Sequence, residues 1–404
     1  MTVPEPATDQ GASVTEPLSV QATFVLLYAE TMLGSSDDVA EIEGLEPDHT
    51  AEDRIGRIGA TERRLLGERY QQAQRIRRRS LGRLPLGAVL DGDVEADVYR
   101  VTHVSGAAVW EVWLTGPERP LVVQDWISRL SLTAEGSLAA RIWRALGAAG
   151  GDPDGGRLEA PELYLPFSIL RIPDGDLPAV LARAGADLVR LLHLDGSKEP
   201  FKPRYVEHEL AQDFCLREGG LSLLSPRGAL DLHCGIGYDG QAALPLLISL
   251  EVLVLERATL RRFHERLRDE RTKMLSELLE LKRDVADGLE EYYGALAIGN
   301  AFSAQTMLLG QSLLGIDDLH RSVISRLDMV TFGITTRLEQ QTNRASLWLT
   351  VVFGAIGSGF VAASIASWYY ADASELGGVI AWTVAATLIT AALIALLLRG
   401  MTRQ

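Results

Sequence analysis

The sequence LWLTVVFGAIGSGFVAASIASWYY, residues 347–370, contains 24 consecutive residues without a charge. A helix of this length extends about 36 Å, which exceeds the roughly 30 Å hydrocarbon core of a bilayer. Residues 376–398, LGGVIAWTVAATLITAALIALLL, form a second uncharged stretch of 23 residues. Helices of soluble proteins rarely lack charge on every face. We therefore predict two transmembrane helices, 346–370 and 376–398, joined by an outer loop at 371–375.

The charged residues that flank the two stretches predict their orientation. Arginines precede the first and follow the second, whereas the loop between them holds only carboxylates: Arg337, Arg344, Arg399 and Arg403 against Asp372 and Glu375. Basic residues accumulate on the cytoplasmic side of membrane proteins. We expect a multi-pass protein of the bacterial inner (plasma) membrane, with both termini and a short tail, 399–404, in the cytoplasm.

Composition excludes several classes of protein. The net charge of −15 argues against a nucleic-acid partner, which requires a basic footprint. The two cysteines, Cys215 and Cys234, lie in no metal-binding or disulfide pattern.

Residues 1–19 are rich in Pro, Thr and Glu and have no basic or apolar leader, so we expect disorder and no signal peptide.

Residues 20–245 mix strand and helix signals and predict a cytoplasmic α/β or α+β domain. Strands are expected at 23–28, 98–104, 108–114 and 163–172, with a hairpin at Ser105–Gly106, and helices at about 50–81, 136–148 and 176–193. The glycine-rich segment at 235–240 lacks the full dinucleotide-binding spacing and predicts a turn. We find no catalytic motif, and therefore predict that the protein is not an enzyme.

Residues 246–345 predict a long helical stalk, because apolar residues recur at three- and four-residue spacing among dense charge. A break is expected near 294–300. The uncharged segment 295–316 also has the length of a span, but it carries Asn300, Gln305 and Gln311, which are costly in lipid. We expect it to be buried between subunits or against the preceding helix.

A heptad stripe continues from the stalk into the first span. One side of the helix carries small, polar and Phe residues: Asn343, Ser346, Thr350, Phe353, Gly357, Phe360 and Ser364. Positions seven apart fall on nearly the same face. The stripe fits either of two interpretations. It could line an aqueous pore in which Phe353 and Phe360 form apolar constrictions, or it could be part of the close helix packing that small residues allow, as at Gly354, Ser358 and Ala362.

A cytoplasmic α/β domain, a long stalk and two C-terminal spans with a very short outer turn resemble the CorA family of magnesium channels. The resemblance covers residues 245–404 well and the preceding domain only in broad architecture. It implies a homopentamer whose pore is lined by the first span. It also implies regulatory divalent cations, in particular Mg²⁺, held by carboxylates between subunits, for which the positions here are Asp284, Asp287, Glu290, Asp317 and Asp318.

The sequence departs from that family at its most specific motif, the Tyr-Gly-Met-Asn at the outer mouth. When the tyrosine is placed on Tyr369, Gly-Met-Asn is replaced by Tyr370, Ala371 and Asp372. A ring of Asp372 or Glu375 would attract cations by charge. Selectivity for hydrated Mg²⁺ does not carry over, because that ion needs a well-placed polar ring.

The densest basic run is Arg75, Arg77, Arg78, Arg79 and Arg83, which we expect to extend the helix predicted at about 50–81. It is either a solvated helix face paired with acids or an anion sensor, since arginine forks bind phosphate well. His208, between Glu207 and Glu209, either contributes to a metal site or lies on the solvated edge of a strand or helix.

Together these patterns predict an oligomeric CorA-like cation channel in the lipid bilayer, gated by a small molecule or ion that binds the cytoplasmic domain. The alternative is a membrane effector of bacterial defence that responds to a nucleotide and permeabilises the membrane without selective metal transport. In both cases the arginine run would contribute to the regulatory site.

Overall fold

The computed structural model describes residues 18–31, 45, 49–66, 76–84, 95–103, 106–115, 119–120, 122–133, 136–149, 161–235, 240–268, 275–295, 301–369 and 376–401. The predicted disorder of the N-terminal segment falls on residues 1–17, outside the described residues, apart from its last two positions. The described residues form two compact units: one is formed by the chain up to 269 together with 283–326, and the other by 270–282 with 327–404.

An eight-stranded mixed sheet forms the first unit. Its strands are β1 (Ser19–Thr31), β2 (Ile76–Leu84), β3 (Glu95–His103), β4 (Ala107–Thr115), β5 (Arg119–Pro120), β6 (Leu163–Ile172), β7 (Gly220–Ser225) and β8 (Gly228–Cys234). The order across the sheet is β2-β3-β4-β1-β6-β8-β7, and the short β5 pairs with β1. Among the described strands only β6 and β8 pair in parallel.

The helices of this unit cover both faces of the sheet. They are α1 (Ala51–Leu66), α2 (Val123–Leu130), α3 (Leu138–Ala149), α4 (Leu177–His193), α5 (Pro203–Leu210), α6 (Leu244–Arg268) and α8 (Ala301–Leu313). Alternate residues of β1, including Phe24, Leu26 and Tyr28, point into the core beneath α2, α3 and α4. The Tyr28 hydroxyl donates to the Ala139 carbonyl at 3.0 Å, which satisfies a polar group in that core.

The opposite face of the sheet is covered by α6, which is buried almost all round from Leu244 to Glu256. This helix contacts β1, β4, α1 and α8. A helix apolar on every side requires burial on every side. Its long apolar run therefore specifies a central element of the domain rather than an exposed stalk.

The predicted strands at 23–28, 98–104, 108–114 and 163–172 correspond to β1, β3, β4 and β6, and the last has the observed bounds. The hairpin is confirmed: β3 and β4 are antiparallel, and the Gly106 amide donates to the His103 carbonyl at 2.8 Å. The helices expected at 136–148 and 176–193 correspond to α3 and α4. Most of the turn predicted at 235–240 lies outside the described residues, although Gly235 has the positive φ of 98° that suits glycine.

The prediction of one helix over about 50–81 is wrong in its second half. The helix α1 ends at Leu66, and the arginine run from Ile76 onward is the strand β2. Inward and outward residues alternate along its first half, as a sheet edge requires. The strands β7 and β8 were also not predicted.

The stalk segment divides into α6, α7 (Leu275–Ala295), α8 and α9 (Ile316–Tyr369), followed by α10 (Leu376–Met401). The break expected near 294–300 corresponds to the end of α7 at Ala295 and the start of α8 at Ala301. Within the uncharged segment 295–316, α8 packs on α6 and β7 of its own chain. The helix α6 belongs to the helical stretch that precedes the break, so this packing agrees with the expected burial against the preceding helix.

Candidate functional site

The helix α9 is continuous over 54 residues, from Ile316 to Tyr369. At 1.5 Å per residue its length is about 81 Å. By length and composition it is the one helix among the described residues that could cross a membrane. The apolar part of α10 with described side chains is shorter, from Ile380 to Ala392. The chain is thus an α/β domain followed by a long candidate membrane helix, and the second span remains a prediction.

Hydroxyl groups along α9 are satisfied within the helix. Thr350 Oγ1 donates to the Ser346 carbonyl at 2.9 Å, and Ser364 Oγ donates to the Phe360 carbonyl at 2.9 Å. A polar group without a partner is expensive in hydrocarbon, whereas a hydroxyl bonded to its own helix is not. These residues are therefore compatible with a membrane helix, and they do not by themselves require water.

One face of α9 packs against α10. Gly359 faces α10, because a Cβ at this position would collide with the Thr387 hydroxyl, and Val351 and Ala355 are buried on the same side of α9. Small residues at four-residue spacing allow this close approach. The expected small-residue face, Gly354, Ser358 and Ala362, is only half-buried and lies one position away, because Gly359 fixes the contact.

The predicted pore stripe lies on the other side of α9. Its seven residues, Asn343, Ser346, Thr350, Phe353, Gly357, Phe360 and Ser364, are all exposed in the single chain. Phe353 and Phe360 are 68% and 72% exposed. At about 100° per residue the centre of the stripe is roughly 160° from the α10 contact. The stripe is thus available to other copies, to lipid or to water.

The predicted outer mouth falls largely outside the described residues. Tyr370, Asp372 and Glu375 lie in the segment 370–375, and Tyr369 ends α9 with a side chain that is not described. The carboxylate ring at this mouth remains a prediction from the sequence.

The arginine run does not form a helix face. Arg75 lies outside the described residues, Arg77 and Arg79 are exposed on β2, and Arg83 pairs with Asp97 at 2.9 Å. Asp97 also accepts from Arg54 at 2.7 Å. Because side chains alternate along a strand, Arg77 and Arg79 share the exposed side of β2 whereas Arg78 points to the other side, so the run does not act as a single surface.

Arg78 points inward and binds three carboxylates, a group that we call the Arg78 cluster. Its guanidinium donates to Glu62 of α1 at 2.6 Å, to Glu111 of β4 at 3.0 Å, and to Glu251 of α6. The indole of Trp113 donates to the remaining oxygen of Glu111. The planar fork of arginine permits this three-way contact, which ties two helices to two strands.

The electrostatics of the Arg78 cluster are unbalanced, because one cation faces three carboxylates. Burial, outweighing the attraction of Arg78 and reinforced by Glu111 and Glu62, raises the pKa of Glu251 well above its usual range. The neighbouring carboxylates raise the pKa of Arg78 despite its burial, so the guanidinium stays charged. The cluster therefore favours the protonated form of Glu251 more than water does.

The predicted metal ligands are not assembled. Asp284 pairs with Arg266 at 3.0 Å, and Asp318 pairs with Arg321 at 2.6 Å. Asp317 lies in the first turn of α9, and the side chains of Asp287 and Glu290 lie outside the described residues. Within the described ranges no group of three or more His, Cys, Asp or Glu residues is placed to hold a metal ion. A shared site between subunits remains a prediction.

His208 is exposed on α5, while its neighbour Glu209 binds His193 at 2.9 Å. A second His–Asp contact occurs in the sheet, where His233 lies 2.8 Å from Asp231 and Ser222 Oγ donates to the same carboxylate at 2.6 Å. The serine binds the acid rather than the histidine, so this arrangement does not activate a nucleophile.

Sequence reasoning missed Glu62, Glu111 and Glu251. The signal for Glu251 was available, because it is the first acid in the apolar run LPLLISLEVLVLE of α6. A carboxylate in such a run needs a buried partner. No protein-family model, curated protein or solved structure matches the chain.

Proposed function

We propose that the protein is an oligomeric membrane channel for cations, resembling the CorA family in architecture, in which α9 lines the pore and α10 packs outside it. The observation that carries the proposal is the division of α9 into two faces. One face meets α10 at Gly359 and is buried also at Val351 and Ala355, and the polar and Phe stripe faces away from it. In a ring of subunits such a helix would turn its stripe toward the axis.

The proposal includes the membrane topology predicted from the flanking charges, with both termini in the cytoplasm and a homopentamer as the assembly. Residues Phe353 and Phe360 form apolar constrictions in this scheme, and Asp372 and Glu375 attract cations at the outer mouth. The hydroxyls of Thr350 and Ser364 donate to carbonyls of the same helix, so a lone pair of each hydroxyl oxygen stays available toward the lumen.

Water accessibility along α9 tests the proposal. In a background with Cys215 and Cys234 replaced by alanine, single cysteines are placed at Phe353 and Gly357 on the stripe. Val352, which is 47% exposed but about 130° from the stripe centre, supplies the matched control. In proteoliposomes a charged thiol reagent is expected to label the stripe cysteines at least tenfold faster and to block cation flux. Equal labelling of the control contradicts a pore on this face.

Ion selectivity tests the outer mouth separately. Asp372→Asn combined with Glu375→Gln is expected to reduce the preference for cations over anions in planar bilayers. An unchanged reversal potential in a salt gradient would refute the carboxylate ring while leaving the pore intact.

The alternative, a nucleotide-responsive effector that permeabilises the membrane, was based on the missing Gly-Met-Asn motif and on the arginine run as an anion sensor. That run alternates between faces of β2, and Arg78 is neutralised by carboxylates. Leakage of large dyes that appears only with an added nucleotide, and that is lost in Arg77→Gln with Arg79→Gln, would favour the effector over the channel.

A further inference from the structure

Glu256 lies at the contact between α6, α8 and the first turn of α9, outside the Arg78 cluster. The residue is 5% exposed. Gln311 of α8 donates its side-chain amide to both carboxylate oxygens of Glu256, at 3.3 and 3.4 Å. These contacts are long for hydrogen bonds, and a neutral amide supplies no charge. An ionised Glu256 is therefore poorly compensated in this position.

The contact is part of a close helix crossing. One position before Gln311, a Cβ on Gly310 would collide with the Leu253 side chain of α6, so α8 lies directly on α6. At its other end, Phe302 packs against Phe214 with ring centroids 5.6 Å apart. The apolar contacts position α8, and Glu256 places an ionisable group in the middle of that interface.

A turn connects this interface to the long helix. The Leu314 amide donates to the Gly310 carbonyl at 2.9 Å, and Gly315 has a φ of 66°, a left-handed conformation that favours glycine. The next residues begin α9. Whatever holds α8 against α6 therefore also holds the start of α9.

The charged groups around Glu256 are few and acidic. Asp317 faces it from the first turn of α9, and His320 lies one turn beyond, near Asp317. The sequences of α8 and β7 contain no ionisable side chain. Burial first, with Asp317 adding to it against the Gln311 hydrogen bond, raises the pKa of Glu256 to about 7.

We propose that Glu256 is a proton-controlled clasp, which holds α8 and the α8–α9 turn on α6 when protonated and releases them when ionised. The protonated acid can donate to the Gln311 carbonyl oxygen while accepting from its amide, so both groups are satisfied. The ionised acid loses the first of these bonds and gains a buried charge beside Asp317. Cytoplasmic pH would thus act on the beginning of α9.

The direction of the pH effect follows from the raised pKa. In the docked state the pKa of Glu256 is about 7, against 4.5 for a free glutamate. The docking of α8 on α6 is therefore fully stabilised below pH 4.5, the pKa of a free glutamate. This stabilisation is lost as the pH rises through about 7, the pKa of docked Glu256. Between about pH 5 and pH 8 the opening equilibrium of α8 should increase on the order of 100-fold.

Hydrogen exchange of the full-length protein in nanodiscs tests the clasp. After correction for the intrinsic pH dependence of exchange, the protection of α8 amides is expected to fall on the order of 100-fold from pH 5 to pH 8. The amides of α4, a helix of the same unit, supply the internal reference. If the protection of α8 relative to α4 does not change with pH in the wild-type protein, the proposal is overturned without any variant.

Variants identify the group. Glu256→Gln should keep α8 protected at both pH values, whereas the control Glu265→Gln, an exposed acid on α6 that pairs with Arg261 at 3.0 Å, should behave as wild type. Asp317→Asn should lower the midpoint but retain the transition. A transition that survives in Glu256→Gln, or that disappears in Asp317→Asn, overturns the assignment. None of these measurements requires conductance, so their failure is distinct from failure of the channel proposal.

Discussion

Replacing Arg78 with methionine should destabilise the α/β unit more than any neighbouring surface change. Methionine has a similar length but no charge, so Glu62, Glu111 and Glu251 would lose their shared cation. Breaking a buried ion pair by removing one partner costs about 3–5 kcal/mol. Since domains have about 5–15 kcal/mol of stability in total, the variant should be close to unfolding.

The pH dependence of this loss provides a sharper measurement. Without Arg78, Glu251 loses the attraction that opposes the effect of its burial, which raises its pKa in the folded state further. A raised folded-state pKa gives stability that is present at low pH and is lost as the pH rises. Arg78→Met should therefore lose about 3–5 kcal/mol at pH 7.5 and clearly less at pH 5.

The assay is urea unfolding of the full-length protein in detergent, followed by tryptophan fluorescence, since Trp113 contacts Glu111. The matched control is Arg77→Met, an exposed arginine on the same strand, which should change the free energy of unfolding by less than about 0.5 kcal/mol. Equal unfolding free energies for the two variants, or a loss at Arg78 that is the same at both pH values, would refute the reasoning.

Three further predictions concern other contacts. Gly359→Ala should separate α9 from α10, because its Cβ collides with Thr387, and should lower the melting temperature, whereas the Cβ of Gly357→Ala meets no atom within 4 Å and this variant should not. Glu251→Gln should reduce the loss of stability that accompanies rising pH, because the amide has no proton to lose; unfolding free energies measured over a pH series check this. Tyr28→Phe should cost about 1 kcal/mol, since it removes the buried hydrogen bond to the α3 carbonyl, and a urea midpoint that does not move would contradict it.

The fold was predictable where local pattern and burial agree. The strand β6 and the helix α4 have clear periodicity, and their bounds were correct or within a residue. The strand β2 was misassigned because IRRRSLGRL follows a helix and carries the charge density of a helix surface. The segment becomes a strand because it pairs with β3. This pairing depends on the whole sheet and cannot be recognised from the segment itself.

The candidate site was predictable in part for the same reason. The stripe on α9 is a property of one helix and can be counted along the sequence. Within the Arg78 cluster, Arg78 contacts an acid 173 positions away in the sequence, and no local spacing indicates which acids meet. The face of α9 that meets α10 was displaced by one residue from expectation, because the Gly359 contact depends on a partner helix.

The position of β2 at the end of the sheet has a consequence for assembly. A terminal strand offers unpaired amides and carbonyls, to which a strand from another molecule can add. Here the outward residues are arginines, and the pairing with β3 shifts register between Ser80 and Gly82, where Gly82 has a φ of 114°. Charge and a bulge both discourage such addition. Copies that meet at this rim would therefore repel one another, which opposes aggregation through this edge of the sheet.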